Sequence, residues 1–100
     1  MKAPYLVCYD IKEPGRLGKV FRYMKGRGLH LQYSVFHCAM TWPELKKVKG
    51  DIERLINKRE DDVRIYPLPS GCKVIVMGCG DRVPDGVEIF VEGCQVAHEQ

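Results

Sequence analysis

Apolar residues follow two rhythms along this chain, and the change from one to the other marks out its elements. Residues 5 to 9, Tyr5-Leu6-Val7-Cys8-Tyr9, form an unbroken apolar run that stops at Asp10. A run this short and continuous predicts a strand buried on both faces, with the acid at its end. After Lys12-Glu13-Pro14-Gly15 the apolar positions become Leu17, Val20, Phe21 and Met24, the spacing of one face of a helix, and Gly26-Arg27-Gly28 ends it. Residues 29 to 40 are rich in β-formers and lack Gly and Pro. They read either as one kinked strand or as two short strands turning near Gln32-Tyr33-Ser34, where polarity interrupts the run.

Thr41-Trp42-Pro43-Glu44 has the form of a capping box, with Pro43 suited to a first turn, so a second helix is predicted to begin there. Leu45, Val48, Ile52, Leu55 and Ile56 make its apolar stripe, opposite Lys46, Lys47, Lys49, Asp51, Glu53 and Arg54. Asn57 to Asp62 reads as a connection, and Val63 to Leu68 alternates like a strand that Pro67 places near an edge or an end. Further strands are predicted at Cys72–Met77 and Val87–Glu92, separated by loop-like residues and followed by a polar tail. Strand, helix, strand or strand pair, helix, then three strands predicts an α+β sandwich with both helices on one face of a mainly antiparallel sheet.

One hundred residues suit one small domain that leaves apolar surface uncovered, which dimerisation would bury. Sixteen Lys and Arg against thirteen Asp and Glu give a net charge of +3, which permits an acidic partner without demanding one. The excess is concentrated early: Lys12, Arg16, Lys19, Arg22, Lys25 and Arg27 face a single acid, Glu13, between positions 12 and 27. Phosphate binding and an ordinary solvated helix face explain those residues equally well. The five cysteines have no close pair and no ligand-like spacing to a histidine, and read as buried thiols of a reducing compartment. No apolar segment is long enough for a membrane span or a targeting run, so the cytoplasm is the expected location.

Several kinds of chemistry drop out. Gly78-Cys79-Gly80 is too short for a dinucleotide fingerprint, and no Gly-Lys-Ser/Thr phosphate loop occurs. Cys38 and His37 would point to opposite faces of a strand, which argues against a nucleophilic dyad and for a core thiol beside an exposed imidazole. Glu60-Asp61-Asp62 reads as a solvated acidic linker. Asp10 is left, with two readings: a ligand-facing acid at a strand terminus, or a cap for the turn that follows.

Taken together, residues 5 to 10, Arg16-Leu17-Gly18-Lys19-Val20, Gln32-Tyr33-Ser34-Val35-Phe36 and Val63-Arg64-Ile65-Tyr66-Pro67-Leu68 resemble the CRISPR-associated Cas-two family, in order and in spacing, from about residue 4 to residue 78. The resemblance implies a ferredoxin-like sandwich, βαββαβ with an extra C-terminal strand, over residues 1–80. It also implies an extension over residues 81–100 whose strand pairs across a symmetric homodimer. Asp10 then matches the metal-site acid, facing its symmetry mate and holding Mg2+ or Mn2+. Tyr9, Arg16, Ser34 and Phe36 match positions around it, and Arg16, Lys19, Arg22 and Lys25 would meet nucleic acid. Gly18 departs from the pattern, because many members carry a basic residue there. Two activities are implied: metal-dependent cleavage of RNA or DNA, and a non-catalytic role bridging dimers of the Cas-one integrase during spacer capture. A single carboxylate is a poor magnesium site, so the metal site would be complete only in the dimer.

Overall fold

In the computed structural model, residues 1–69, 71, 73–77 and 88–92 are described. The chain divides into two compact units, Met1–Leu68 and Pro69–Gln100. The boundary expected near residue 80 lies outside the described residues.

The first unit contains β1 (Ala3–Asp10), α1 (Pro14–Lys25), β2 (Leu29–Gln32), β3 (Val35–Met40), α2 (Trp42–Leu55) and β4 (Asp62–Pro67). Its sheet has the order β2-β3-β1-β4, and every neighbouring pair is antiparallel. This is the ferredoxin-like arrangement. The hairpin alternative holds for residues 29 to 40: the chain turns at Tyr33-Ser34, with Tyr33 at φ 39° in the left-handed region.

The core lies between the helices and one sheet face, where Val7, Tyr9, Phe36, Cys38 and Met40 meet Val20 and Met24 of α1 and Val48 and Ile52 of α2. Contrary to the expectation that β1 is buried on both faces, it alternates: Val7 and Tyr9 are buried, while Leu6 and Cys8 between them are half-buried. An antiparallel strand needs helix cover on one side only. Leu6 is in register with His37 and Tyr66, and Cys8 with Val35 and Arg64, so the second face carries an apolar strip mixed with polar side chains. His37 is buried there rather than exposed as the sequence suggested.

Both helices begin on side-chain caps. The Thr41 hydroxyl accepts from Glu44 N and the Glu44 carboxylate accepts from Thr41 N, completing the predicted box. Helix α1 starts one turn earlier than its apolar spacing suggests, because Glu13 accepts from Gly15 N and Arg16 N and Pro14 occupies the first turn. A hydrogen bond from the Tyr23 hydroxyl to Asp51 Oδ2, 2.6 Å, ties α1 to α2, and burial with that neighbour pushes the phenol up to about 12. The second unit holds β5 (Lys73–Met77) and β6 (Glu88–Glu92), which pair in parallel.

Candidate functional site

Where β1 ends, three connections converge. The β2–β3 turn arrives at Ser34, the chain leaves Asp10 toward the first turn of α1, and β4 starts at Asp62. Antiparallel register places Asp62 directly across from Asp10. Like charges in such positions repel. Each is flanked by its own cation: Lys12 Nζ lies 3.7 Å from Asp10 Oδ2, and Arg64 Nε donates to Asp62 Oδ2 at 3.0 Å.

Asp10 does not cap the turn. Its side chain is 71% exposed, and Lys12 is its only hydrogen-bond or ion-pair partner among the described residues. The amides a cap would satisfy are taken by other acids, Glu13 at the start of α1 and Asp61 at Lys12 N. A carboxylate with no structural duty, at a strand terminus opposite a second carboxylate, is available to a ligand.

Within the acidic stretch at residues 60 to 62, Glu60 and Asp62 are exposed as a solvated linker would be, but Asp61 is not. The Asp61 side chain is 0% exposed. It accepts from Arg16 Nε at 2.8 Å, Arg16 Nη2 at 3.1 Å, Lys12 N at 3.0 Å and Asn57 N at 2.8 Å. Arg16 also donates to Glu60 Oε1 at 3.0 Å. These donors, the Arg16 guanidinium foremost, hold the Asp61 carboxyl well below the usual carboxylate range, and Asp61 raises the Arg16 guanidinium further in turn. Arg16 is therefore occupied within the fold.

The remaining predicted site residues separate into buried and exposed groups. Tyr9 and Phe36 stack with ring centroids 6.3 Å apart, and Phe36 also packs against Phe21 and His30. Phe36 is fully enclosed, so it supports the corner from beneath. Tyr9 N donates to Ser34 O at 3.1 Å, which fixes the hairpin turn beside the end of β1, and burial pushes the Tyr9 phenol up. Lys19, Arg22 and Lys25 are exposed along α1 and have no acidic partner within ion-pair distance among the described residues. Lys25 lies over the Phe21 ring at 6.0 Å. At Gly18 an added Cβ would lie 3.3 Å from Arg22 Nη1, so the missing side chain leaves room for the Arg22 guanidinium against the helix.

Elsewhere, a groove of about 650 Å³ between α2 and β4 is lined by Tyr5, Trp42, Leu45, Ile52, Ile65 and Pro67, among others, and contains none of the predicted site residues. Cys8 and Cys38 are free thiols, and burial raises both, Cys38 to about 11. Thiols so protonated at neutral pH are poor nucleophiles and metal ligands. Cys72, Cys79 and Cys94 lie outside the described residues. Among the described residues, no helix is long and apolar enough to cross a membrane.

Comparison with known proteins agrees with this fold. The family model described as "CRISPR associated protein Cas2" matches residues 3–75. The chain is 61% identical over 90 residues to the CRISPR-associated endoribonuclease Cas2 2 of Thermodesulfovibrio yellowstonii, covering 90% of this chain and 99% of the relative. A crystal structure of a hypothetical protein, TT1823, from Thermus thermophilus matches with TM-score 0.75 and 33% identity over 82% of this chain and 98% of that one. A chain of a partial Cas6-RT-Cas1–Cas2 complex matches with TM-score 0.60 and 29% identity over 69% of this chain and 75% of that one. A match over residues 3–75 together with 61% identity across nine-tenths of the chain shows that this protein belongs to the CRISPR-associated Cas2 family.

Proposed function

We propose that the chain acts as a homodimer in CRISPR spacer acquisition, and that Asp10 is the centre of a metal-dependent endonuclease site that cleaves RNA or DNA. The observation that carries this is the Asp10 carboxylate, exposed and excused from capping, with Asp62 facing it across β1 and β4. The homologue of Thermodesulfovibrio yellowstonii is named an endoribonuclease, which supports hydrolysis of phosphodiester bonds. Cas-one integrase as partner is supported by the likeness to the chain of the Cas1–Cas2 complex. The dimer is supported by the sheet face that α1 and α2 do not cover. There Leu6, Cys8, Val35 and Tyr66 share the side opposite Val7 and Tyr9, an apolar strip beside His37 and Arg64 that a second copy would cover.

The donor set fits a hard divalent cation, since Asp10 and Asp62 offer exposed carboxylate oxygens and burial keeps the thiol of Cys8, two residues before Asp10, protonated. One chain alone falls short: among the described residues no group of three His, Cys, Asp or Glu side chains gathers to hold an ion. A second copy of the pair would supply the missing oxygens. Mg2+ or Mn2+ held there would supply Lewis acidity toward a phosphodiester. The chain's own residues do the rest. Lys12, beside Asp10, balances the acidic pair and offers a donor to a phosphate oxygen, while Lys19, Arg22 and Lys25 bring the nucleic-acid backbone along α1 without reading its bases.

Asp10→Asn tests the reading, because an amide of nearly the same shape lacks the charge that recruits the cation. Magnesium-dependent cleavage by extensively purified protein is expected to vanish while the dimer persists. Cleavage at the wild-type level in the variant would remove the nuclease assignment.

A second reading, a non-catalytic adaptor that binds DNA and bridges integrase dimers, is favoured by the engagement of Arg16. Its Nε and Nη2 groups are engaged by Asp61 and Glu60, which leaves Nη1 alone to meet a phosphate. Loss of spacer capture without any cleavage by the wild-type protein would select it.

A further inference from the structure

The Asp10 corner is built from two segments far apart in sequence, and a single buried carboxylate joins them. Lys12 lies two residues beyond Asp10, and Asp62, which faces Asp10, is the residue after Asp61. Asp61 accepts the Lys12 amide from the first segment and the Asn57 amide from its own, and takes the Arg16 guanidinium through both Nε and Nη2. Buried Ile11 pins the residue between Asp10 and Lys12 into the core. The path of the chain out of β1, and with it the direction of the Asp10 side chain and the reach of Lys12 Nζ, is thus set by where Asp61 holds the Lys12 amide.

A part-buried ion pair is a modest source of stability, since desolvation offsets much of its attraction. What this pair supplies beyond stability is direction. A planar guanidinium and a carboxylate bonded at two nitrogens fix both orientation and distance, and the two backbone amides tie that fixed position to the chain leaving β1 and to the chain leaving α2. In metal sites the groups that orient a ligand govern affinity without touching the ion.

We propose that Asp61, with Arg16 locked onto it, is the positioning residue of the Asp10 corner, holding Asp10 and Asp62 at the separation a divalent cation requires. The proposal rests on the reading of Asp10 as a cation ligand. It gives Arg16 an indirect role, acting through Asp61 and the loop rather than by gripping substrate.

The test is manganese binding by the intact protein, followed by electron paramagnetic resonance with the ion alone, for the wild type, Asp10→Asn, Asp61→Asn and the double variant Arg16→Gln with Asp61→Asn. Thermal melts fix a temperature at which every variant is folded, so that lost stability does not register as lost affinity. Exchange of the Lys12 amide is measured alongside. Asp10→Asn should lose the manganese signal. Asp61→Asn should weaken affinity about tenfold or more and speed exchange at Lys12, as orienting partners of metal ligands do. Should Asp61→Asn alone fail to fold, with Arg16 left unpaired, the double variant replaces the ion pair by two neutral amides of similar size and should show the same loss. Wild-type manganese affinity in a folded Asp61 variant, when Asp10→Asn has lost it, overturns the positioning role and leaves the cation reading standing. Equal binding by Asp10→Asn and the wild type overturns the cation reading, and the positioning role falls with it.

Discussion

Arg16 and Arg22 lie on the same helix, yet one is paired with acids of the fold and the other meets none among the described residues. Arg16, 23% exposed, closes on a carboxylate that no solvent reaches, and Tyr9 and Phe36 fill the space beneath the same end of the sheet. Arg22, with Lys19 and Lys25, meets no acid among the described residues, and Asp10 faces a second acid instead of a cap. The inward set has its main partners within the chain. In the outward set the three cations meet no acid within ion-pair distance among the described residues, and Asp10 has only the exposed Lys12 beside it. That difference separates what holds the corner from what the corner offers to a ligand, although all of these residues belong to one sequence pattern.

Substitutions on the inward side should cost stability, and the largest cost is expected at Phe36. Phe36→Ala empties the space shared with Tyr9, Phe21 and His30, and denaturant melts should show a loss of about 3–5 kcal/mol. A loss of less than about 1 kcal/mol would mean that this end of the core collapses around the gap, and that Phe36 is not its keystone. A single methyl should also be felt at Gly28, where an added Cβ would meet Cys38 Sγ at 2.5 Å and His37 O at 2.8 Å. Gly28→Ala should cost about 1–3 kcal/mol through displacement of β3, read by the same melts.

Acid titration probes the pair of regions more gently. Asp61 has its pKa lowered in the folded state, as do Glu13, Glu44, Asp51 and Glu53, so the folded protein binds fewer protons than the unfolded chain in that range. The stability they give is fully present above their unfolded values, near pH 4, and is lost as pH falls through the folded ones. Melting temperature should therefore hold from neutral pH to about pH 5 and then decline. Asp61→Asn should start lower and decline less. A variant curve parallel to the wild type would mean that Asp61 titrates normally and that its bond to Arg16 is weak.

Element positions were legible in the sequence, and partners brought together by the fold were not. A continuous apolar run ending in an acid placed Asp10 at the end of β1, and the spacing of Val20 and Met24 and the Thr41–Glu44 box placed both helices, because those signals are local. The first turn of α1 was hidden because glutamate is an uncommon cap, although Pro14 right after Glu13 is the mark of such a start. Asp61 could not be read at all. Three acids in a row look solvated, and only an arginine 45 residues away, brought close by the fold, buries the middle one. Phe36 was matched to the site by family pattern, while its period-2 alternation with the buried Cys38 and Met40 in β3 already indicated a core position. The signal that would have found the clamp is a pairing of Arg16 with Asp61 across related sequences, which one sequence does not contain.

The division between spent and free cations is tested most directly by the salt dependence of nucleic-acid binding, measured on a duplex of arbitrary sequence from low to physiological salt. Each phosphate contact contributes close to one to the slope of log affinity against log salt. Lys19→Gln with Arg22→Gln should flatten that slope by about two, whereas Arg16→Gln, at a temperature where it stays folded, should leave the slope as in the wild type. A slope reduced by Arg16→Gln and untouched by the double substitution would contradict the account, because the phosphate would then be met by the cation the fold has claimed.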